Sequence, residues 1–256
     1  MYERYVAIGD SQTEGLGDGD DTTGLRGWAD RLADRLADLN PGLRYANLAV
    51  RGKVAGEVHA EQLARAIELR PDLATVVAGL NDVLRPRWDV DLVAGHLEAM
   101  FASLRACGAT VGTLTFPNVA RIAPLAKPLV PRVLALNDRI RAAAARHGVT
   151  VVETFAVDVT TDARIWSPDR LHASPVGHQR IADSMAHALA LPGADDSWTL
   201  PLPVLPRPDR LTAVRTELRW VGGFLGPWLG RRLRGVSSGT GREAKRPELT
   251  PFRQEG

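Results

Sequence analysis

The chain has 256 residues, of which 45% are hydrophobic and 24% are charged, which is usual for a globular protein with one sizeable core. Its single cysteine, Cys107, excludes an intramolecular disulfide and a zinc–cysteine cluster. The sequence has no apolar run of roughly 18 residues and no basic, apolar leader, so we expect no membrane span and a cytoplasmic location.

The charge is unevenly distributed along the chain. Residues 1–192 carry 21 Lys and Arg against 23 Asp and Glu, whereas residues 193–256 carry 11 against 7. This shift predicts one domain over residues 1–192 and a basic C-terminal extension over residues 193–256. The basic residues of the extension are too dilute for a phosphate-binding surface, so we expect no nucleic-acid partner.

Strand-like and helix-like segments alternate along residues 1–192. Short apolar or β-branched runs predict five strands: Tyr5–Ile8, Leu43–Ala49, Leu73–Ala78, Thr110–Thr115 and Val149–Glu153. Amphipathic periodicity predicts helices between and after them: Trp28–Leu39, Ala55–Glu68, Asp91–Ala106, Val130–His147 and Val176–Leu191. This alternation indicates an α/β domain with a parallel, doubly wound sheet. Two long loops, at about 116–130 and 154–174, are typical of segments that line or cover a site.

The extension has three parts of different composition. Leu200–Arg210 holds four prolines and predicts an extended linker, whereas the last twenty residues are polar and basic, which is typical of disorder. Between them, Thr212–Leu233 carries apolar residues at spacings of three or four, interrupted by glycine and proline, so we expect a short or broken helix. Its apolar stripe consists of Val214, Leu218, Val221, Leu225 and Trp228. We expect this stripe to dock on the protein itself; the alternative is peripheral contact of residues 212–233 with a membrane surface.

A serine follows the first predicted strand, in the run Gly9-Asp10-Ser11. The carboxyl edge of an open α/β sheet is where ligands bind, so the Ser11 hydroxyl is a candidate nucleophile. Taken alone, a helix cap is the simpler interpretation of this serine. Asp169 and His172 change that balance, because they lie three positions apart in the loop after the last strand, and a carboxylate that holds a histidine beside a serine is the logic of a catalytic triad.

Two further motifs follow the second and third strands. Asn47–Gly52 and Gly79–Asp82 would be exposed at the same edge of the sheet. A glycine N–H and an asparagine amide are the donor types that an oxyanion hole needs. We therefore expect these two segments to lie beside Ser11.

In these four places, and in this order, the sequence resembles the SGNH hydrolases, the GDSL-type esterase and lipase family. The resemblance covers roughly residues 4–190. It implies a three-layer α/β/α fold with a five-stranded, parallel, doubly wound sheet of the flavodoxin-like type. It also implies that Ser11 is the nucleophile, that His172 is the general base and acid, and that Asp169 orients His172.

The same resemblance implies the supporting groups of the site. The N–H groups of Ser11 and Gly52 and the side chain of Asn81 would form the oxyanion hole. Asp10 and Asp82 would hold loops in place rather than react.

For the other candidate catalytic or metal-binding motifs, simpler interpretations are available. Gly235–Gly239 matches the G-x-S-x-G motif of α/β-hydrolases but lacks the strand and the helix that the motif requires. His178 lies on the closing helix, where a structural role is expected. The acidic cluster in the loop after Ser11 imitates a calcium loop but lacks the downstream bidentate glutamate; it consists of Asp18, Asp20 and Asp21. Three aromatic residues lie in edge loops, where they could either line an acyl pocket or pack in the core: Trp88, Trp166 and Phe116.

The sequence thus predicts a serine hydrolase that cleaves carboxylic esters, with a small-molecule ester as its partner and with no metal or organic cofactor. A short acyl group is favoured because loop 116–130 contains prolines and small residues. The alternative, from another class, is a catalytically weak binding or membrane-surface protein that acts through its basic C-terminal tail.

Overall fold

The computed structural model describes residues 1–204, 210–226, 239 and 241–253. The strands are β1 (Arg4–Gly9), β2 (Gly19–Asp20), β3 (Gly24–Leu25), β4 (Arg44–Asn47), β5 (Leu73–Val77), β6 (Thr110–Leu114), β7 (Thr150–Val152) and β8 (Arg246–Pro251). The helices are α1 (Ser11–Glu14), α2 (Trp28–Leu39), α3 (Ala55–Glu68), α4 (Leu80–Val83), α5 (Val90–Ala106), α6 (Val119–Ile122), α7 (Val130–His147), α8 (Pro175–Ala188) and α9 (Arg210–Trp220).

The central sheet has the strand order β7-β6-β5-β1-β4-β8. Its first five members pair in parallel, and β8 pairs antiparallel with β4 at the edge. Helices α2 and α8 pack together on one face, while α3, α5 and α7 pack together on the other. The order of the five parallel strands is that of a flavodoxin-like, doubly wound sheet, which confirms the predicted fold class.

The core forms where the sequence is most uniformly apolar. Every residue of β5 is buried, as expected of a strand that is covered on both faces. On α2, the predicted apolar face holds Trp28, Leu32 and Leu36, and all three side chains are fully buried. The core therefore fixes the positions of four strands: β1, β4, β5 and β7. The loops that follow their carboxyl ends share one edge of the sheet.

The loop at 116–130 is more ordered than its proline content predicts. It contains α6 and a 3₁₀ helix, Pro124–Leu129. Proline suits the first position of such a turn because it donates no hydrogen bond there, so Pro124 starts a local helical turn rather than an extended loop.

The strand β8 was not predicted, and the expectation of disorder for the last twenty residues is wrong for residues 241–253. The segment contains two prolines, which a sheet accepts only at an edge. Side chains compensate for its weak strand propensity: the Arg246 guanidinium lies 5.6 Å from the ring centroids of Tyr45 and Phe252, and its Nε donates to the Tyr45 carbonyl. The division of the chain at residue 192 stays a prediction, although β8 brings part of the extension into the sheet.

The helix expected after residue 212 is present as α9, which continues into a π-helical turn, Val221–Leu225. The docking residue differs from the expected stripe, because Leu218 and Val221 are exposed and Trp220 is buried. The side chains of Val214 and Leu225, and all of Trp228, lie outside the described residues. Among the helices that the structure describes, none has the length and apolar character needed to cross a bilayer.

Candidate active site

Ser11 is positioned by the abrupt end of β1. A side chain at Gly9 would place its Cβ 2.4 Å from the Val77 carbonyl of the neighbouring strand, so only glycine allows this approach. Gln62 from α3 binds both sides of Gly9, accepting from its N–H and donating to its carbonyl, each at 2.9 Å. Asp10 then caps α1, and Ser11 becomes the first residue of that short helix.

Asp169 and His172 lie in a tight turn, Ser167–His172, which we call the Asp–His loop. The His172 carbonyl accepts from the N–H of Ser167 at 2.8 Å, and a β-bridge between Trp166 and Ala173 closes the base of the loop. The loop is also tied to the Ser11 segment, because the Gln12 side-chain oxygen accepts from the N–H of Ala173 at 3.0 Å.

These two segments bring the three predicted side chains into one hydrogen-bonded chain. The Ser11 Oγ lies 2.9 Å from the His172 Nε2, and the His172 Nδ1 lies 2.6 Å from the Asp169 Oδ2. Burial alone would raise the pKa of Asp169, but its contact with His172 and with other donors outweighs burial and lowers that pKa. Asp169 is therefore ionised at neutral pH and accepts a hydrogen bond from the Nδ1–H group of His172.

The predicted oxyanion donors lie next to Ser11. Gly52 and Asn81 line the same cavity as Ser11, and Gly52 has a φ of 78°, which a side chain rarely allows. The Asn81 Nδ2 donates to the Asp10 Oδ2 at 3.2 Å and to the Lys53 carbonyl at 3.0 Å. The amide group thus lies between the Ser11 segment and the loop that carries Gly52.

Asp10 and Asp82 both accept hydrogen bonds from neighbouring segments of the site. Besides capping α1, Asp10 accepts from Asn81, whereas the Asp82 Oδ2 accepts from the N–H of Ala55 at 2.9 Å, where α3 begins behind Gly52. Burial raises the pKa of Asp10 to about 7 and that of Asp82 to about 6. The loops around Ser11 therefore hold both carboxyl groups in buried positions, where their ionised forms lose solvation free energy.

A family model places this sequence in a known group. The model of the GDSL-like lipase/acylhydrolase family matches residues 7–180, about two thirds of the chain, and spans all four motifs. The chain belongs to this family. The protein is thus a carboxylic ester hydrolase of the GDSL type. Among curated proteins, no sequence matches this GDSL hydrolase.

Solved structures show the same fold. TesA is 24% identical, with a TM-score of 0.62 over 73% of this chain and 98% of its own. Axe2, an acetylxylan esterase from Geobacillus stearothermophilus, is 19% identical, with a TM-score of 0.63 over 76% of this chain and 97% of its own. LAE5, an α/β hydrolase enzyme from the metagenome of Lake Arreo, Spain, is 24% identical, with a TM-score of 0.59 over 73% of this chain and 95% of its own.

His178, a further candidate site residue in the sequence, has structural partners. His178 is fully buried, and its Nε2 donates to the Leu16 carbonyl at 2.9 Å while its Nδ1 accepts from the N–H of Trp28 at 3.1 Å. Burial lowers the pKa of His178 to about 4, so the ring is neutral. All but the last glycine of Gly235–Gly239 lies outside the described residues.

The acidic cluster after Ser11 is neutralised by arginines. Asp18 pairs with Arg31 at 2.7 Å, while Asp21 pairs with Arg51 at 2.8 Å and with Arg242 at 2.7 Å. The Asp20 Oδ1 accepts from three donors of Thr22 and Thr23. Across the described part of the chain, no group of three or more acidic, histidine or cysteine side chains has the arrangement of a metal site.

Sequence reasoning missed the ion pair that supports Gly52. The Glu14 carboxylate accepts from the backbone N–H of Arg51 at 2.6 Å and from its guanidinium at 2.6–3.1 Å. The side chains are only 5% and 12% exposed, so this pair fixes the backbone next to Gly52. The sequence offers one signal, a glutamate at the end of the Ser11 motif and an arginine directly before Gly52.

A cavity of about 1000 Å³ opens beside Ser11, Asn81 and His172. Its walls come from the segment after β5, the loop at 116–130, the Asp–His loop, α8 and the end of α9. Most of its lining side chains are apolar, among them Phe116 and Trp166. Trp88 is not among the lining residues; it packs against the core and lies 5.7 Å from the guanidinium of Arg132.

Proposed function

We propose that the protein hydrolyses carboxylic esters through an acyl-enzyme, with Ser11 as the nucleophile, His172 as the general base and acid, and Asp169 as the group that orients His172. The observation that carries this proposal is the continuous chain of contacts from the Ser11 Oγ to the His172 Nε2 at 2.9 Å and from the His172 Nδ1 to the Asp169 Oδ2 at 2.6 Å. Both distances lie within the range of productive hydrogen bonds.

The ionised Asp169 fixes the tautomer of the imidazole. Because the Asp169 Oδ2 accepts a hydrogen bond from Nδ1–H, the proton stays on Nδ1 and the Nε2 lone pair of His172 faces the Ser11 hydroxyl. As the Ser11 Oγ attacks the ester carbonyl, its proton moves to Nε2. The imidazolium then returns that proton to the departing alcohol, which leaves an acyl group on Ser11.

Water completes the reaction by the same route. His172 takes a proton from the attacking water and gives it to the Ser11 Oγ as the acid product leaves. In both steps the carbonyl oxygen becomes an oxyanion, which we assign to the N–H groups of Ser11 and Gly52 and to the amide of Asn81, whose N–H that points to Asp10 at 3.2 Å would turn to the oxyanion. The contacts of Asn81 with the Lys53 carbonyl and of Asp82 with the start of α3 support this arrangement.

The size and apolar lining of the cavity favour an acyl group larger than acetyl, whereas loop 116–130 favoured a short one at the level of sequence. The short acyl group stays a prediction that a panel of esters tests. Peripheral membrane contact through residues 212–233 likewise stays a prediction.

Replacing Ser11 tests the proposal. We expect Ser11→Ala to lower kcat/KM for a p-nitrophenyl ester by about 10³-fold or more, because removal of the nucleophile disables the whole triad. The same variant should no longer react with a fluorophosphonate probe.

Ser184 offers a matched control. It lines the same cavity, and its hydroxyl donates to the Ile181 carbonyl at 2.8 Å rather than to a member of the triad. Ser184→Ala should keep most of the activity and all of the labelling. Activity in a folded Ser11→Ala variant equal to that of Ser184→Ala would overturn the assignment and would favour a protein that acts by binding.

A further inference from the structure

The described part of the extension that begins at α9 lies against the Asp–His loop. The Trp220 side chain is 7% exposed, and its Nε1 donates to the Asp169 carbonyl at 3.0 Å. The Arg170 guanidinium lies 4.6 Å from the centre of the Trp220 ring and forms two hydrogen bonds with Glu217, at 2.6 and 2.9 Å. The segment is thus fixed to this loop by an indole donor, a cation–π contact and an ion pair.

These contacts place part of the extension in the wall of the cavity. Trp220, Gly223 and Phe224 all line it, together with Ser11 and His172. The family match ends at residue 180, so this wall lies in a part of the chain that the family model does not include.

The cavity suits an apolar ligand of some length. Its volume of about 1000 Å³ is at the upper end of the range of about 300–1,000 Å³ that pockets for small organic molecules occupy. Ile122, Leu125 and Leu129, from the loop at 116–130, contribute to the same apolar lining as Trp220 and Phe224. An acetyl group would leave most of this surface uncovered, whereas an extended acyl chain would cover it.

We propose that Trp220 and Phe224 complete the acyl pocket and select esters with an extended apolar acyl chain over acetyl esters. This inference rests on the proposed function, since it takes Ser11 as the site of acylation. Each methylene that leaves water for an apolar wall is worth about a fourfold gain in binding. The gain raises kcat/KM when it is also present in the transition state.

The experiment compares four p-nitrophenyl esters, the acetate, butyrate, octanoate and laurate, on the full chain and its variants. For the unmodified protein we expect kcat/KM to rise from acetate to octanoate. Phe224→Ala and Trp220→Ala should each lower kcat/KM for octanoate by roughly tenfold or more, since even one substrate methylene in an apolar pocket is worth about 10- to 200-fold. Their kcat/KM for acetate should change by less than about threefold, because acetate does not reach this wall.

Two further variants separate selection from positioning. Leu218 lies on the same helix but is 67% exposed, so the ester profile of Leu218→Ala should match that of the unmodified protein. Trp220→Phe keeps an aromatic wall, although a smaller one, and removes the Nε1–H donor to Asp169, so its preference for octanoate should remain. Thermal melting of each variant establishes that it is folded at the assay temperature.

Different failures are distinguishable. An equal loss on all four esters would show that the segment positions the Asp–His loop and would overturn the assignment of an acyl wall. An optimum at acetate in the unmodified protein, or an unchanged profile in Phe224→Ala, would also overturn it. Failure of the proposed function has another signature, namely full activity and fluorophosphonate labelling in Ser11→Ala.

Discussion

Asp169→Asn is the sharpest test of the proposed triad, because the contacts of Asp169 dictate how an asparagine must lie. The Asp169 Oδ1 accepts from the hydroxyl of Ser167 at 2.6 Å and from the N–H groups of Leu171 and His172 at 2.9 and 3.0 Å. An amide oxygen satisfies these three donors, whereas an amide nitrogen would face them as a fourth donor. The asparagine therefore keeps its oxygen at this position and turns its NH₂ group toward His172.

That orientation reverses the tautomer of the imidazole. An NH₂ group opposite Nδ1 requires a lone pair there, so the proton of neutral His172 moves to Nε2. Nε2 then points an N–H at the Ser11 hydroxyl and cannot accept its proton. We expect kcat to fall about 10⁴-fold, which corresponds to about 5 kcal/mol of transition-state stabilisation.

Release of p-nitrophenol at saturating ester measures kcat, and thermal melting establishes that the variant is folded. Asp158→Asn is the matched control, since Asp158 is exposed and pairs only across the surface with Arg121 at 2.8 Å. Exposed pairs of this kind are worth about 0–1 kcal/mol, so that variant should retain full activity. A folded Asp169→Asn enzyme within tenfold of the control would refute the tautomer argument.

Two other predictions concern the support of the site. In urea titrations, Arg51→Ala should lower the free energy of unfolding by about 3–5 kcal/mol, because it leaves the buried Glu14 carboxylate without its partner. Arg65→Ala, which breaks pairs on the exposed surface, should cost less than about 1 kcal/mol, and equal losses would contradict the role of the Glu14 pair. The pKa of His178 is about 4 in the fold, against about 6.5 in the unfolded chain, so its stabilising effect is complete above pH 6.5 and is lost as the pH falls toward 4. Relative to His178→Asn, the free energy of unfolding of the unmodified protein should therefore fall by about 3 kcal/mol between pH 7 and pH 4. A difference in unfolding free energy between the two proteins that does not change with pH would refute this account.

The parts of the fold that the sequence predicted depend on local patterns. The limits of α2, α3 and α7 agree with the predicted helices at both ends, because each ends in a local signal such as Gly148 or Pro71. The proximity of Ser11 and His172, 161 positions apart, was predictable for another reason. Parallel strands place every strand-to-helix loop at one edge of the sheet, so the strand order alone predicts that these two distant residues lie close together.

Other features depend on contacts between distant residues that have no local pattern. Trp220 is one of several apolar residues in its segment, and only the Asp169 carbonyl and the Arg170 guanidinium distinguish it from the exposed Leu218. Strand β8 is a similar case. Its sequence has weak strand propensity, and it forms a strand because Arg246 stacks on Tyr45, about two hundred positions earlier.

The extension contacts the Asp–His loop directly and reaches the loop of Gly52 through Asp21. The Trp220 indole reaches the Asp169 carbonyl, while the Arg242 guanidinium binds Asp21, which also binds Arg51 beside Gly52. Trp220 and Arg242, the residues of the extension that make these contacts, lie beyond the family match, which ends at residue 180. Residues beyond 192 therefore reach the proposed site at two points, and the ester profiles of the Trp220 variants distinguish a wall of the acyl pocket from a support of the Asp–His loop.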